Sequence, residues 1–298
     1  MRITAIGNAN IDITLFLEEM PGYDEDILAD DIIFGPGGSA SNFAAASSHL
    51  GAESFLIACV GSDLFGEIFL KEMKMHNVST EWIKRIKEER TGTVVVIQER
   101  GRQRRMITMR GANSRLGTLD FSEFLPLLRS SDVVHISSVY EDVVSGVLKV
   151  YRGISWDPGI KIVRKMGRRI IDYLSGVKRL FMNIKEAELV FKGEDEVKKI
   201  SEEVDVVLKM GSRGARAYVE GRVYEQKAVE AKAVDTTGAG DVFDAAYTIA
   251  LLRGMDVNSS LKLANAAASI KIARKGTQSG LPSWEEALDV AAKFYGGI

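Results

Sequence analysis

The fold is decided by the stretch Val234-Asp235-Thr236-Thr237-Gly238-Ala239-Gly240-Asp241-Val242-Phe243-Asp244. A β-prone segment is predicted to end at Val234, a turn of small residues follows, and an apolar helical pattern begins at Asp241. The small residues between Gly238 and Gly240 let bare backbone approach a ligand closely. Their N–H groups lie at a predicted helix start, where unpaired donors and the helix dipole favour an anion.

Asp241 has two interpretations in this turn. Asp is a common helix N-cap, and a carboxylate at this point could do no more than satisfy the first N–H groups. Beside an anion hole, the same carboxylate could take the proton of an acceptor hydroxyl during phosphoryl transfer. The turn alone leaves both interpretations open.

Composition limits the class of protein. The chain has 298 residues, 46% hydrophobic and 27% charged, with a formal net charge of −2. This suits one large α/β domain, and it gives no electrostatic reason to expect nucleic acid or an anionic membrane as partner. No apolar run approaches a membrane span and no signal-peptide core is seen, so we expect a soluble cytoplasmic protein. The single cysteine, Cys59, lies in an apolar run and is expected to be a buried structural thiol.

From Glu53 onward, strand-like and helical patterns alternate. Strands are predicted at 54–60, 132–136, 153–157, 179–182 and 204–209. Helices are predicted near 64–76, 121–128, 142–151, 161–174, 185–190, 241–253 and 259–274. The alternation predicts a mainly parallel sheet covered by helices on both faces.

Two β excursions interrupt this pattern, at about 13–34 and 82–110. Within the second, strands are predicted at 93–97 and 104–109. We expect the two excursions to form a small lid over the active edge of the sheet, within a single domain of residues 1–298.

Polar residues follow the first predicted strand, at Asn10 and Asp12. Open α/β sheets bind ligands at such positions, although an Asx-turn that satisfies local backbone explains them equally well. Further along, Gly37 and Gly38 precede a helix that carries Asn42 one turn inside it. Paired glycines there would let the helix start press against a ligand or a strand.

Two more constellations come directly after strands. Asn183 and Glu186 are three residues apart, so Glu186 could hold a hydrated Mg²⁺, or the two could form a capping box. Lys209 is followed by Gly211 and Gly214, which leave backbone exposed for a polyphosphate.

Together and in this order, these segments resemble the ribokinase (PfkB-type) family of sugar and nucleoside kinases. Residues 235–241 match its D-T-x-G-A-G-D signature, and Gly37-Gly38-x-x-x-Asn42 matches its other signature. The resemblance extends from the first strand to Gly280. It implies a three-layer α/β/α sandwich with a mainly parallel central sheet and a small β lid.

The resemblance also implies site roles. Asp241 is expected to be the catalytic base, with the N–H groups of Gly238, Ala239 and Gly240 as the anion hole. The acceptor-binding candidates are Asn10, Asp12, Gly37, Gly38, Asn42 and Arg110. The nucleotide-binding candidates are Asn183, Lys209, Gly211, Gly214, Thr237, Gly238, Gly240 and Asn265. Mg²⁺ is assigned, through water, to Glu186 and Asn183. A monovalent cation, K⁺, would lie among Asp235, Thr237 and the mostly backbone ligands Lys271, Arg274, Gly276 and Gly280.

The chain departs from ribokinases where the acceptor is chosen. The second signature reads Gly-Gly-Ser-Ala-Ser-Asn where ribokinases usually have Gly-Gly-Lys-Gly-Ala-Asn, and residues 135–139 lack the expected ribose-binding glutamate. Some fructokinases and 2-keto-3-deoxygluconate kinases carry an arginine near Arg110. That residue could meet a hydroxyl-rich or anionic acceptor, or be a surface arginine on a lid strand.

We therefore expect an ATP-dependent, Mg²⁺-requiring kinase that acts on a primary hydroxyl of a sugar. Within the family, the alternatives are a nucleoside kinase and a kinase of the 2-keto-3-deoxygluconate or fructose type. A non-catalytic nucleotide- or sugar-sensing protein and the use of ADP as donor also stay open. A dinucleotide-dependent oxidoreductase is disfavoured because G-x-G-x-x-G is missing after the first strand. Apolar alternation at 93–97 and 106–109 suggests a homodimer formed through the lid.

Overall fold

A large central sheet and a smaller lid sheet carry the fold in the computed structural model, which describes residues 1–101 and 104–297. Arg102 and Gln103, in the second predicted lid insertion, and Ile298 lie outside the described residues. The strands are β1 (Arg2–Gly7), β2 (Asn10–Leu17), β3 (Asp31–Gly37), β4 (Glu53–Gly61), β5 (Val78–Ser79), β6 (Ile83–Ile86), β7 (Gly92–Glu99), β8 (Arg105–Met109), β9 (Val133–Ser137), β10 (Ile154–Asp157), β11 (Val177–Asn183), β12 (Asp205–Lys209), β13 (Ala215–Val219) and β14 (Arg222–Gln226).

Helices separate most of these strands. They are α1 (Ser39–His49), α2 (Leu64–Met75), α3 (Leu125–Ser130), α4 (Glu141–Val150), α5 (Gly159–Met166), α6 (Ile184–Val190), α7 (Glu194–Ile200), α8 (Ala239–Leu252), α9 (Val257–Ile272) and α10 (Trp284–Tyr295). Short 3₁₀ segments lie at Gly111–Thr118, Phe121–Phe124, Gly167–Gly176 and Gly211–Arg213. Among the described residues, none of the helices is long and apolar enough to cross a membrane.

The central sheet has the order β14-β13-β12-β11-β10-β9-β1-β4-β5, and β6 also pairs with β4. Every pairing from β12 across to β5 and β6 is parallel. β13 and β14 continue the sheet in antiparallel pairing, and the sequence patterns did not predict them. The predicted mainly parallel sheet is confirmed, and its carboxyl ends meet along one edge.

Side chains that alternate along the strands build a core on each face of the sheet. In β1, Ile3 and Ala5 pack with α1, α8 and α9, whereas Ile6 packs on the other face with residues of α4 and α5. Helices therefore cover both faces, and the three-layer α/β/α sandwich is confirmed. Cys59 is fully buried, and burial raises the pKa of its thiol to about 12, in agreement with a structural role.

The lid is one sheet of order β3-β2-β7-β8. Its two central strands, β2 and β7, pair in parallel and join the two predicted excursions, with Asn10 opposite Gly92. Part of the second excursion lies elsewhere, because Ile83–Ile86 pairs with β4 of the central sheet. Asn10 and Asp12 are on the first lid strand rather than in a turn just beyond β1.

The segment before the small-residue turn differs from the sequence prediction. Residues 227–236 form no strand, although a β-prone segment was predicted to end at Val234. The backbone N–H groups of Val234 and Asp235 instead donate to the carbonyl of Ile272 at the end of α9, at 2.7 and 3.1 Å. The backbone of this segment thus bonds to the end of α9, where a strand would have bonded to a neighbouring strand of a sheet.

Candidate active site

The small-residue turn ends in a helix start with free backbone donors. Gly238 adopts a left-handed conformation (φ 77°) and α8 begins at Ala239. The N–H groups of Gly238, Gly240 and Asp241 have no partner in the described part of the chain, while that of Ala239 donates to the Thr236 carbonyl at 3.4 Å. Because α8 starts before Asp241, this residue does not cap the helix. Free N–H groups at a helix start favour binding of an anion.

Asn42 joins the two signature segments. Its Nδ2 donates to Oδ2 of Asp241 at 2.8 Å, and its Oδ1 accepts a hydrogen bond from Gln278 Nε2 at 2.9 Å. Burial raises the pKa of Asp241 to about 7, the hydrogen bond from Asn42 opposes the shift, and the charge of Asp157 adds to it. A carboxyl that titrates near neutrality can take up a proton at working pH.

The paired glycines let the lid strand, α1 and the first loop meet. Gly38 has φ 101°, and a Cβ there would collide with the carbonyl oxygen of Asn8. A Cβ at Gly37 would collide with the carboxyl group of Asp12. Burial raises the pKa of Asp12 to about 7, and the nearby charge of Arg104 opposes that shift. The close approach explains why this segment needs glycine.

These residues face a cleft of about 380 Å³ between the lid and the carboxyl edge of the sheet. It brings together the predicted residues Asn10, Asp12, Gly38, Asn42, Arg110, Thr237, Gly238 and Asp241. The amide oxygen of Asn10 is already engaged, since it accepts a hydrogen bond from Asn113 Nδ2 at 2.8 Å. Gly37 is outside the lining and acts through Asp12.

Asn183 and Glu186 form the capping box that the sequence left as an alternative. Glu186 N–H donates to Asn183 Oδ1 at 3.0 Å, and Asn183 N–H donates to Glu186 Oε2 at 2.7 Å. Oε1 of Glu186 has no hydrogen-bond partner in residues 1–101 and 104–297. Burial, and then the charge of Asp157, raise the pKa of Glu186 to about 7. The unpaired Oε1 of Glu186, close to the charge of Asp157, fits a ligand for a hydrated Mg²⁺, which needs few protein ligands.

Lys209 lies beneath the start of α8 rather than free in the cleft. Its Nζ donates to Asp157 Oδ2 at 2.7 Å and to Asp244 Oδ2 at 2.9 Å, and a Cβ on Gly240 would lie 3.4 Å from it. The ammonium is therefore held by two carboxylates and is not free for a nucleotide phosphate in this structure. The predicted nucleotide contact would have to use the Lys209 backbone.

Burial acts to raise the pKa values of both carboxyl groups that hold Lys209. For Asp157, the Lys209 charge and the hydrogen bonds from Asp244 and Lys209 outweigh burial, and the pKa is lowered. For Asp244, burial raises the pKa well above its usual value. The charge of Lys209 opposes this shift, and the charge of Asp157 adds to it. The pKa values of the two carboxyl groups around Lys209 thus move in opposite directions.

The other predicted nucleotide residues lie outside this cleft. Gly214 (φ 102°) lets β13 begin against β14, because a Cβ there would collide with the carbonyl of Gln226. Gly211 (φ 62°) opens the short 3₁₀ segment before it. Asn265 Nδ2 donates to the Lys227 carbonyl at 3.1 Å, which ties α9 to the segment after β14. Each has a structural reason for its identity, and their nucleotide contacts stay predictions.

The residues predicted for a monovalent cation do not fit one. Lys271 is fully buried, and its Nζ donates to the backbone carbonyl oxygen of Asp235 at 3.3 Å. The Asp235 carboxylate accepts the N–H groups of Thr237 at 2.9 Å and Gly276 at 3.1 Å. The ammonium thus places a positive charge beside Asp235, one of the residues predicted to hold K⁺, and a second cation close to it would be repelled.

The remaining predicted cation ligands lie at the end of the same segment. Arg274 extends its guanidinium to the carboxylate of Glu286. Gly280 packs so closely that a Cβ on it would lie 2.6 Å from the Cβ of Arg274. Both residues fold the segment back towards α10.

Comparison with known proteins identifies the family. The family model described as pfkB family carbohydrate kinase matches residues 1–284. The chain belongs to this family. It is a carbohydrate kinase of the ribokinase type, as the two signature segments had implied.

Relatives of this pfkB kinase act on different acceptors. It is 28% identical to a ribokinase of Bacillus subtilis, over 95% of this chain and 97% of the relative. It is also 28% identical to an ATP-dependent ribose-1-phosphate kinase of Halopiger xanaduensis, over 94% of each chain. The solved nucleoside kinase of Methanocaldococcus jannaschii shares its fold, with a TM-score of 0.88, 24% identity and 98% of both chains covered.

Several residues that line the cleft of this pfkB kinase were missed by sequence reasoning. They are Asn8, Ser39, Arg104, Asn113, Ser138, Tyr140 and Lys161. Arg104 Nη1 donates to Thr237 Oγ1 at 2.8 Å, linking the lid to the small-residue turn. Ser138, at the carboxyl end of β9, has φ 52°, a conformation that is uncommon outside glycine. One sequence signal could have identified Arg104. Side chains an even number of residues apart along a strand point to the same face, and Arg104 is six residues before Arg110, which was already a candidate.

Proposed function

We propose that this kinase transfers the γ-phosphoryl group of ATP to a primary hydroxyl of a sugar. The observation that carries the proposal is the convergence of two groups on one cleft. The free N–H groups at the start of α8 and the Asp241 carboxylate belong to the same helical turn, and Thr237, Gly238 and Asp241 all line the cleft. A phosphate held by those N–H groups would lie beside a group able to take a proton.

In the proposed reaction, Asp241 accepts the proton of the acceptor hydroxyl as its oxygen attacks the γ-phosphorus. The bond between that phosphorus and the β–γ bridging oxygen breaks, and ADP leaves. Charge on the transferred group is stabilised by the N–H groups of Gly238, Gly240 and Asp241. Asn42 holds the carboxylate in position through its 2.8 Å hydrogen bond.

Two solved relatives support ATP as donor. A ribokinase of Arabidopsis thaliana was solved with ribose and ATP, and a putative ribokinase of E. coli was solved with ATP and Mg²⁺. In this chain, Mg²⁺ would be held through water by Glu186, with Asn183 orienting that carboxylate. When bound, the ion neutralises charge on the phosphate groups of the donor. K⁺ is left out of the proposed reaction because the Lys271 ammonium already lies beside Asp235, one of its predicted ligands.

We also propose that a second copy of the chain covers the lid. Ile107 and Met109 on β8 are 64% and 44% exposed, and Ile32 on β3 is 60% exposed. Apolar residues exposed on a sheet are typical of an interface. Light scattering at micromolar concentration should give the mass of a dimer, and a monomer mass would contradict this part of the proposal. The cytoplasmic location stays a prediction.

The proposed function is tested by a coupled assay with Mg²⁺ and either ATP or ADP as donor. The acceptor panel contains ribose, a hexose, a nucleoside and a sugar acid, and mass spectrometry locates the new phosphate. We expect ATP-dependent formation of a phosphate monoester at a primary hydroxyl. Transfer from ADP alone would overturn the choice of donor. Tight nucleotide binding without turnover on any acceptor would favour a sensing protein.

A further inference from the structure

Positive charge lines the cleft along the lid strand. Side chains on one face of a strand are two residues apart, and Arg104, Met106, Thr108 and Arg110 all line the cleft. Lys161 on α5 reaches the same wall, where its Nζ donates to Thr108 Oγ1 at 3.1 Å. The guanidinium of Arg110 lies over the ring of Tyr140, 4.1 Å from its centroid. We name Arg110 and Lys161 the basic wall.

In the described part of the chain, no carboxylate neutralises the charges of the basic wall. Among residues 1–101 and 104–297, no carboxylate lies within 4.0 Å of Arg110 or Lys161. The nearby Glu141 is engaged elsewhere, by Arg169 at 3.1 Å and by the hydroxyl of Tyr173 at 2.8 Å. Stacking on Tyr140 holds the Arg110 guanidinium in place at the cleft. Two fixed, unpaired cations facing a cavity favour an anionic ligand.

The basic wall is separate from the proposed transfer centre. Arg104 belongs to that centre, because it donates to Thr237 in the small-residue turn. Arg110 lies just beyond the end of β8, away from that turn, yet it lines the same cleft as Asp241. An acceptor whose hydroxyl lies at Asp241 could therefore extend its other end towards Arg110.

We propose that the acceptor carries an anionic group, a phosphate ester or a carboxylate, which binds between Arg110 and Lys161. The inference rests on the proposed kinase function and narrows its acceptor class. A planar guanidinium binds two oxygens of such a group at once, and the ammonium adds a second charge-assisted hydrogen bond. A neutral sugar would leave both cations without an anionic partner.

Matched acceptors test the proposal on the whole protein. Ribose is compared with ribose 1-phosphate, which adds a phosphate and keeps the primary hydroxyl, and with gluconate, which carries a carboxylate at the opposite end from its primary hydroxyl. We expect kcat/KM for one of the anionic acceptors to exceed that for ribose at least 10-fold. Whichever of the two is preferred identifies the group as phosphate or carboxylate.

Substitutions assign the effect to the basic wall. Arg110→Met and Lys161→Met should each lower the ratio of kcat/KM for the anionic acceptor to that for ribose by about 10- to 100-fold, as expected for a lost charge-assisted hydrogen bond. Arg105→Met is the matched control, because Arg105 is on the same strand but outside the cleft lining. It should leave the ratio unchanged.

The outcomes separate this inference from the proposed function. Equal or better use of ribose, with a ratio that neither substitution changes, would overturn the anionic acceptor and leave the kinase proposal standing. Phosphorylation of no acceptor at all would overturn both. A ratio lowered equally by Arg105→Met would show a general charge effect and would also overturn the inference.

A second inference comes from Lys271. Lysine is almost never fully buried without a partner of opposite charge. Lys271 is 0% exposed, and in the described residues its ammonium has the Asp235 carbonyl as partner but no carboxylate within 4.0 Å. We infer that this ammonium supplies the fixed positive charge beside the small-residue turn, so that transfer proceeds without a monovalent cation. Lys271 is thus a positioning residue.

Titration with K⁺ tests this inference. In a buffer whose cation is tetramethylammonium, adding KCl should change the kcat of the wild type less than 2-fold. Lys271→Met should lower kcat about 10-fold or more, and in Lys271→Ser, which leaves space, K⁺ should restore part of the loss. Lys262→Met on the same helix is the control, since Lys262 reaches the surface and donates to the Gly297 carbonyl. Saturable activation of the wild type by K⁺, or full activity of Lys271→Met without K⁺, would overturn it.

Discussion

Asn42 donates a hydrogen bond of 2.8 Å to the carboxylate of Asp241, across 199 positions of sequence. The amide of Asn42 is oriented in turn by Gln278, whose Nε2 donates to Asn42 Oδ1 at 2.9 Å. Because its oxygen is engaged, the amide presents its NH₂ group to Asp241. This chain of contacts fixes the group that would take the acceptor proton.

Loss of Gln278 should therefore change the titration of Asp241. In Gln278→Leu, the Asn42 amide is free to turn, and a hydrogen bond that favours the ionised carboxylate is weakened. We expect the acid limb of the kcat/KM profile to move to higher pH, with a fall of about 3- to 10-fold at pH 7, the size of one neutral hydrogen bond. A lower rate with an unmoved limb would point to a purely structural effect.

The wild-type pH profile follows from the raised pKa of Asp241. Burial raises it to about 7, so the carboxyl becomes protonated as the pH falls below neutrality and can no longer accept a proton. We expect kcat/KM to fall about tenfold per pH unit on the acid side. Asp12 and Glu186, with pKa values also raised to about 7, could steepen the fall. Full activity at pH 5 would contradict the role of Asp241.

The same pKa makes Asp241 costly to the folded state at high pH. Its ordinary value of 3.8 applies to the unfolded chain, so between pH 4 and 7 the folded protein binds more protons, and stability falls as pH rises. We expect Asp241→Asn to unfold at higher urea concentration than the wild type at pH 8, with the difference shrinking towards pH 4. If the wild type and Asp241→Asn had equal urea midpoints at both pH values, Asp241 would not be a buried carboxylate with a raised pKa.

The buried cluster below α8 should respond unequally to two substitutions. Lys209→Met leaves Asp157 and Asp244 without their cation, so the free energy of unfolding should fall by about 3–5 kcal/mol. Asp244→Asn preserves the shape of a side chain whose pKa is raised well above its usual value by burial, so we expect a change within about 1 kcal/mol. Urea unfolding at pH 7 measures both. Similar losses for the two variants would mean that Asp244 is ionised.

Local patterns predicted much of this architecture. Alternation of strands and helices predicted the parallel sheet, and small residues after Thr237 predicted a helix start with bare backbone. The pattern failed at residues 227–236, where β-prone residues pack on the end of α9 instead of joining a sheet. The β-propensity of a residue describes its preference for extended backbone. A β-strand forms only where a neighbouring strand is available to pair with that backbone.

Contacts between distant segments were beyond such reasoning. The two lid excursions were each predicted, yet their union by parallel pairing of β2 with β7 depends on the whole chain. Lys209 was predicted for the nucleotide, but the two carboxylates that hold it, Asp157 and Asp244, come from β10 and α8. Arg104 and Lys161 were missed because exposed cations carry no local signal of the cavity they face.

The most direct test of the central claim is transfer of label from γ-³²P-ATP to an acceptor by wild type and Asp241→Asn. We expect the wild type to form a labelled phosphate ester at a primary hydroxyl, and the variant to do so about 10²- to 10⁴-fold more slowly, the usual contribution of a general base. Affinity for ATP should stay within about twofold, because the N–H groups at the start of α8 are unchanged. Transfer by Asp241→Asn at close to the wild-type rate would contradict the account.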